Sequence, residues 1–192
     1  MITVPLNSIN VYDFDKTIYD GDSTIDFWIF CMKRNKSILL YVPKIIFAYF
    51  ISIIGLQSKT EFKEVFFSFM DKIPDPDLEI YLFWKENSCK IKKWYLDLKS
   101  NDDLVISASP DFLLRPICNE LGVRLIASKI DKRTGIFEGE NCRGEEKVRR
   151  FKNEYSGILV NKFYSDSVSD MPFAELSNEA YLVCGSKIKL WK

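Results

Sequence analysis

Two aspartates separated by one residue, Asp13 and Asp15, follow the apolar run Ile9-Asn10-Val11-Tyr12, and Thr17 comes two positions later. At a strand end where the chain turns, both carboxylates can point into one cleft. Like charges held that close are costly unless a cation joins them or one keeps a proton, so the pair suits metal binding or acid–base work. Asp166 and Asp170 form a second acidic group after Phe163-Tyr164, and Ser107 ends the run Leu104-Val105-Ile106. Three acids beside a phosphate group would repel one another, so a site of this composition calls for a metal and a lysine. Mg²⁺ suits it, because that ion takes few protein oxygens and keeps water and phosphate oxygens in its shell.

The rest of the composition removes other chemistries. The 192 residues contain no histidine, which excludes a Ser-His-Asp triad, a Cys-His pair, a His-ligated zinc and an imidazole switch. Proton transfers then fall to carboxylate, lysine, tyrosine or cysteine. With 27 basic and 27 acidic side chains and a pI near 6.4, there is no broad basic field for a nucleic-acid partner. The five cysteines are odd in number and widely spaced, which fits reduced thiols in a cytoplasmic protein and neither a disulfide framework nor a zinc site. Residues Met1 to Ser8 lack a basic region followed by an apolar stretch, so no secretory leader is expected.

Short apolar runs alternate with helical stretches, the pattern of an α/β fold with a parallel sheet. Strands are expected at 9–12, 104–106 and 158–164, with Ala180 to Val183 as the last. A helix is expected over Pro110 to Leu121, with Ser109 as its N-cap, Pro110 at the first helical position and Gly122 just past its end. From Thr24 to Lys99 the alternation stops: three or four amphipathic helices, punctuated at Gly55 and Pro74-Asp75-Pro76, form an all-helical insertion. Parallel strands present their carboxyl ends along one edge, so Asp13, Ser107 and Asp166 should converge there beneath the insertion. The apolar run Ile38 to Leu56 is interrupted by Pro43 and Lys44, and its clean remainder spans about 18 Å as a helix against a bilayer core of about 30 Å. It reads as a buried helix and not as a transmembrane span.

Asp13-x-Asp15-x-Thr17, Ser107, Gly144-Glu145-Glu146-Lys147 and Asp166-Ser167-x-x-Asp170-x-Pro172 together resemble, in order and spacing, the motifs of the haloacid dehalogenase superfamily. Within it the chain is similar to the phosphoserine-phosphatase-like branch, whose helical cap follows the first strand. The resemblance implies a Rossmann-like three-layer core over 1–23 and 100–192 with a cap over 24–99. It also implies a Mg²⁺-dependent phosphatase acting on a small phosphorylated metabolite. Asp13 would be the nucleophile and form an aspartyl phosphate. Asp15 would be the general acid and base, and Lys147 would neutralise phosphate and nucleophile. Thr17 and Ser107 would hold the phosphoryl group, with Ser109 and Asp22 also on the substrate side. Asp13, the Asp15 carbonyl and Asp166 would ligate Mg²⁺, with Asp170 behind them or acting through water.

Lys16 and Ser165 depart from that pattern without removing a catalytic group. The stretch Phe66-Phe67-Ser68-Phe69 lacks the arginine expected to hold a substrate carboxylate, which puts phosphoserine in question as the substrate. Sixteen of the 28 aromatic residues lie in the insertion, read first as its own core and second as a pocket for an apolar or lipid-like phosphate ester. Transfer to another acceptor, as in a mutase, and a phosphoaspartate signalling module are the rival functions. Dehalogenation is disfavoured because Asp15 is present.

Overall fold

The computed structural model describes residues 8–192, so the leader reading and the first seven residues of the expected core lie outside the described residues. Six strands form one sheet: β1 (Ser8–Tyr12), β2 (Leu104–Pro110), β3 (Arg124–Ser128), β4 (Leu159–Ser165), β5 (Ser177–Cys184) and β6 (Lys187–Leu190). Their spatial order is β3-β2-β1-β4-β5-β6, parallel except for the antiparallel β5–β6 pair. The chain winds outward from β1 to β3 on one side and from β4 to β6 on the other. The carboxyl end of β1 is thus the switch point at which open α/β sheets bind ligands.

Between β1 and β2 the chain is helical: α1 (Ser23–Arg34), α2 (Val42–Ile53), α3 (Lys59–Phe67), α4 (Pro76–Asn87) and α5 (Lys93–Leu98), with short 3₁₀ turns between several of them. Side chains start three of these helices by accepting amide hydrogen bonds. Asp22 accepts from Ile25 N at 3.1 Å, and Asp75 from Leu78 N at 3.1 Å ahead of Pro76. Ser58 and Glu61 form a reciprocal capping box. The remaining helices are α6 (Asp111–Leu121), α7 (Glu145–Glu154) and α8 (Met171–Leu176). One apolar core runs from the sheet into the insertion: Tyr12, Phe14 and Tyr19 join Phe83, Trp84 and Tyr95, and Trp84 Nε1 donates to the Leu113 carbonyl of α6 at 2.6 Å.

Four expectations need correction. The helix over 45–56 is not buried: within Lys36–Ile53 only 17% is covered. Ile45 and Ala48 pack inward, whereas Phe47, Phe50, Ile53 and Ile54 face outward. Ser109 is not the N-cap of α6, because β2 continues through extended Pro110 and the Ser109 hydroxyl is bonded to Asp15. Gly122 does close α6, in the left-handed conformation with φ +70°. Strand β3 comes straight after α6 where no strand was expected, and Ala180 to Val183 is not the last strand, since β6 returns beside it.

Candidate active site

Asp13 follows the last residue of β1, its amide held by the Tyr164 carbonyl of β4 at 2.8 Å, so the neighbouring strand fixes its position. Lys147 reaches it from the first turn of α7, which Gly144 opens with φ +56°. Lys147 Nζ lies 2.7 Å from Asp13 Oδ1 and 2.7 Å from Asp170 Oδ2, and the lysine is only 2% exposed. Burial pushes the Asp13 carboxyl up to about 7, with Lys147 pulling it back and Asp170 and Asp15 raising it further. Burial alone would favour loss of the Lys147 proton, but Asp13 and Asp170 outweigh it and hold the ammonium above its ordinary range. Its neighbours Arg149 and Arg150 turn instead to Glu146, leaving Lys147 as the inward cation of that helix.

Asp15 is held on both oxygens. The Ser23 amide donates to Oδ1 at 2.6 Å and the Ser109 hydroxyl donates to Oδ2. Burial and the Asp22 charge raise its pKa to about 6, against these hydrogen bonds. A carboxyl titrating near there can both give and accept a proton around neutrality. Thr17 is fully buried and its hydroxyl donates to Asp13 Oδ2 at 3.3 Å. Ser107 is buried in β2, where its hydroxyl accepts from the Ser109 amide at 3.1 Å. From Phe14 the chain turns, its carbonyl accepting from the Ile18 and Tyr19 amides at 3.0 Å each, and Lys16 adopts φ +58°, the one positive value at a non-glycine position among the described residues.

Asp166 follows β4 and lines the same cavity as Asp13, Asp15 and Ser107. It forms no ion pair among the described residues, and burial raises its pKa while Lys16 draws it back. Asp170 is turned to Lys147 and accepts from the Ser165 hydroxyl at 2.8 Å, so it positions the lysine. That bond gives Ser165, noted above as a departure from the family pattern, a structural part. Asp22 lines the cavity while its side chain caps α1. No group of three or more acidic or cysteine side chains gathers closely enough to hold an ion among the described residues. Side chains alone would therefore not complete the shell of a cation here, and backbone oxygen or water would have to contribute.

The cavity, about 560 Å³, is acidic at its floor and apolar on the wall supplied by the insertion, where Ile25, Trp28, Ile45, Tyr49, Phe62 and Phe66 line it. Two further cations, Lys63 and Arg143, lie in its wall and were not anticipated. Lys63 Nζ donates to the Ala108 carbonyl at 2.8 Å and to Asn141 Oδ1 at 3.1 Å. Burial lowers its pKa to about 8, although Asp15 and Asp22 favour the charged form. The available signal was a lysine three and four positions before Phe66 and Phe67, a charge inside an apolar helical stripe.

The sequence profile of the haloacid dehalogenase-like hydrolases matches residues 11–175. No curated protein sequence matches the chain. Among solved structures, a protein of unknown function from Bordetella pertussis Tohama I is similar over 91% of this chain and 88% of its own, with 21% identity and a TM-score of 0.76. A phosphoserine phosphohydrolase-like protein from Francisella tularensis covers 90% and 85%, with 13% identity and a TM-score of 0.56. A substrate-bound phosphoserine phosphatase complex covers 92% and 86%, with 15% identity and a TM-score of 0.57.

Proposed function

Because the chain belongs to the haloacid dehalogenase-like hydrolase family, we propose that it is a phosphatase hydrolysing a small phosphomonoester through an aspartyl phosphate on Asp13. The observation that carries this reading is the pairing of two differently held carboxylates: Asp13 on the Lys147 ammonium at 2.7 Å, and Asp15 on the Ser23 amide and Ser109 hydroxyl. The Lys147 ammonium opposes the burial of Asp13 and favours the carboxylate that attacks phosphorus, while Asp15, raised by burial and by the Asp22 charge and paired with no cation among the described residues, is the carboxyl left to exchange a proton. Asp13 attacks phosphorus and the ester P–O bond breaks, with the Asp15 proton passing to the leaving oxygen. Asp15, now a carboxylate, takes a proton from water as that water attacks the same phosphorus. Inorganic phosphate departs and Asp13 is restored.

Ser107, which lines the cavity, would hydrogen-bond the phosphoryl oxygens, Thr17 would steady Asp13 from behind through its hydroxyl, and the insertion would act as a cap that excludes water. The donor set fits Mg²⁺, since two partly desolvated carboxylates, Asp13 and Asp166, face one cavity with raised pKa values and Asp166 has no ion-pair partner among the described residues. Asp13, the Asp15 carbonyl and Asp166 would hold it, with Asp170 acting behind them through Lys147 or water. When bound, the ion supplies charge neutralisation at the transferring phosphoryl group. The apolar wall and the lack of an arginine in Phe66-Phe67-Ser68-Phe69 favour an apolar or lipid-like phosphate ester over phosphoserine. Five cysteines without disulfides fit the reduced cytoplasmic setting read from the sequence. Asp13→Asn is expected to abolish hydrolysis of a soluble aryl phosphate with Mg²⁺ present while the circular-dichroism spectrum is unchanged. Undiminished turnover in that variant overturns the proposal.

A further inference from the structure

Helix α2 carries two adjoining apolar faces. Ile45 and Tyr49 line the cavity, and about a third of a turn around the helix lie Ile46, Phe47, Phe50, Ile53 and Ile54, all exposed. Phe47 is 68% exposed, Phe50 60% and Ile53 62%, and Leu39, Leu40 and Leu56 extend the patch at its two ends. A contiguous exposed apolar surface of this kind marks an interaction site. Ile46 belongs to both faces, so the cavity opens at the rim of the patch.

Charge identifies the occupant. From Phe27 to Thr60 there is no acidic residue, while Lys33, Arg34, Lys36, Lys44 and Lys59 fall within or beside the apolar run. Arg34 pairs with Glu79, but Lys33, Lys36, Lys44 and Lys59 are exposed and make no ion pair among the described residues. An apolar face flanked in sequence by exposed lysines without ion pairs matches an anionic bilayer surface, where acyl chains take the aromatic side chains and headgroup phosphates take the ammonium groups. A second copy docking through the same two-fold patch would bring the lysines toward one another. Lys36–Ile53 is long and apolar enough to cross a bilayer by length and composition, but three features favour its lying along the surface. Its twelve-residue helix measures about 18 Å, Ile38 in the preceding turn is buried, and the Tyr41 hydroxyl is anchored to Asp71 at 2.7 Å.

We propose that the outward face of α2, with its flanking lysines, is a docking surface for anionic membranes. Seated there, the protein presents its cavity mouth to the bilayer, so the phosphate of an amphiphilic monoester enters headgroup first while its chain stays in the lipid. This last step rests on the phosphatase reading; the docking surface does not.

Flotation of the full chain with phosphatidylcholine vesicles, with or without phosphatidylglycerol, tests it. Strong association with the anionic vesicles, weakened by salt, is expected. The double substitution Phe47→Ser/Phe50→Ser should reduce partitioning by about tenfold or more, and Lys44→Gln by about fivefold. None of these residues lines the cavity, so hydrolysis of a soluble aryl phosphate should be unchanged in all variants. Two results overturn the docking proposal: no association of the wild-type protein with anionic vesicles, or association that the double substitution leaves intact. A concentration-dependent dimer in light scattering that Phe47→Ser/Phe50→Ser dissolves would assign the face to a second copy and equally overturn it. Failure of the wild-type protein to hydrolyse any aryl phosphate would instead count against the phosphatase reading, whatever the vesicles show.

Discussion

Replacing Lys147 with methionine removes the charge that holds the acidic floor together while keeping most of the buried stem. Its Nζ lies 2.7 Å from one oxygen of Asp13 and 2.7 Å from one of Asp170. At that separation and an effective dielectric near 20, each contact contributes about 6 kcal/mol of attraction, offset by a desolvation cost of several kcal/mol per ion. Removing the lysine leaves two buried carboxylates without a cation, and a loss of about 3–5 kcal/mol in unfolding free energy is expected. Asp170→Asn leaves the Lys147–Asp13 contact intact and should cost about 1.5–3 kcal/mol. The double variant should cost less than the sum, by about 1–3 kcal/mol, because methionine then strands only Asp13. Urea denaturation of the four proteins in EDTA near neutral pH reads all three quantities. Excess Mg²⁺ should return part of the stability lost in Lys147→Met. Effects additive to within about 0.5 kcal/mol, or a Lys147→Met loss below about 1 kcal/mol, would refute the counter-ion role.

Asp15→Asn should lower kcat by about 10²–10⁴ on an alkyl phosphate and by much less on an aryl phosphate, whose leaving group needs little protonation; equal losses on both would remove the acid role. Lys63 has a folded pKa near 8, below the ordinary lysine value, so between those limits the unfolded chain binds the extra proton and folding becomes more favourable as pH rises. Wild type should therefore gain stability over Lys63→Met as the pH rises through 8 in parallel thermal melts. If Lys63 also holds the anionic substrate, wild-type KM should rise about tenfold on the same alkaline limb, whereas Lys63→Arg should keep it flat. A matching limb in the arginine variant would exclude that contact. In Gly135→Ala, the new Cβ would lie 2.6 Å from the Phe67 carbonyl at a backbone φ of +74°. A loss of about 2–4 kcal/mol by urea unfolding is expected, and a loss within error would show that the loop can move away.

The strand ends of the candidate site were readable because their side chains sit where apolar runs stop. Asp13, Ser107 and Asp166 needed only the parallel topology to meet at one edge, and Lys147 needed only a helix start at Gly144. Exposure of α2 was not readable in the same way, because an apolar run looks alike whether protein or lipid covers it; Pro43 and Lys44 argue against a span, although Lys36–Ile53 is long and apolar enough for one by length and composition, and they say nothing of an interface. Lys63 and Arg143 escaped notice because their surroundings come from distant loops, as the Ala108 and Asn141 oxygens on Lys63 illustrate. Ser109 was misassigned for a similar reason. A serine before Pro110 is a reasonable cap from local sequence, and only the approach of Asp15 across the sheet gives its hydroxyl a better acceptor.

The core that runs unbroken from Tyr12 and Phe14 to Phe83, Trp84 and Tyr95 fixes how the cavity can exchange its contents. Helices α4 and α5 are fastened to the sheet by that shared packing and by the Trp84 bond to Leu113, so swinging the whole insertion away would expose a continuous apolar core. Helix α2, by contrast, packs mainly on α3 and on the Lys36–Tyr41 turn. Access is thereby assigned to the tip of the insertion, where little buried surface is lost on opening. Amide protons of α2 and α3 should exchange at low opening free energy while those of α4 exchange only with global unfolding. A gate that loosened where the chain is most apolar would give a water-soluble and a bilayer-borne substrate different entry costs through one door.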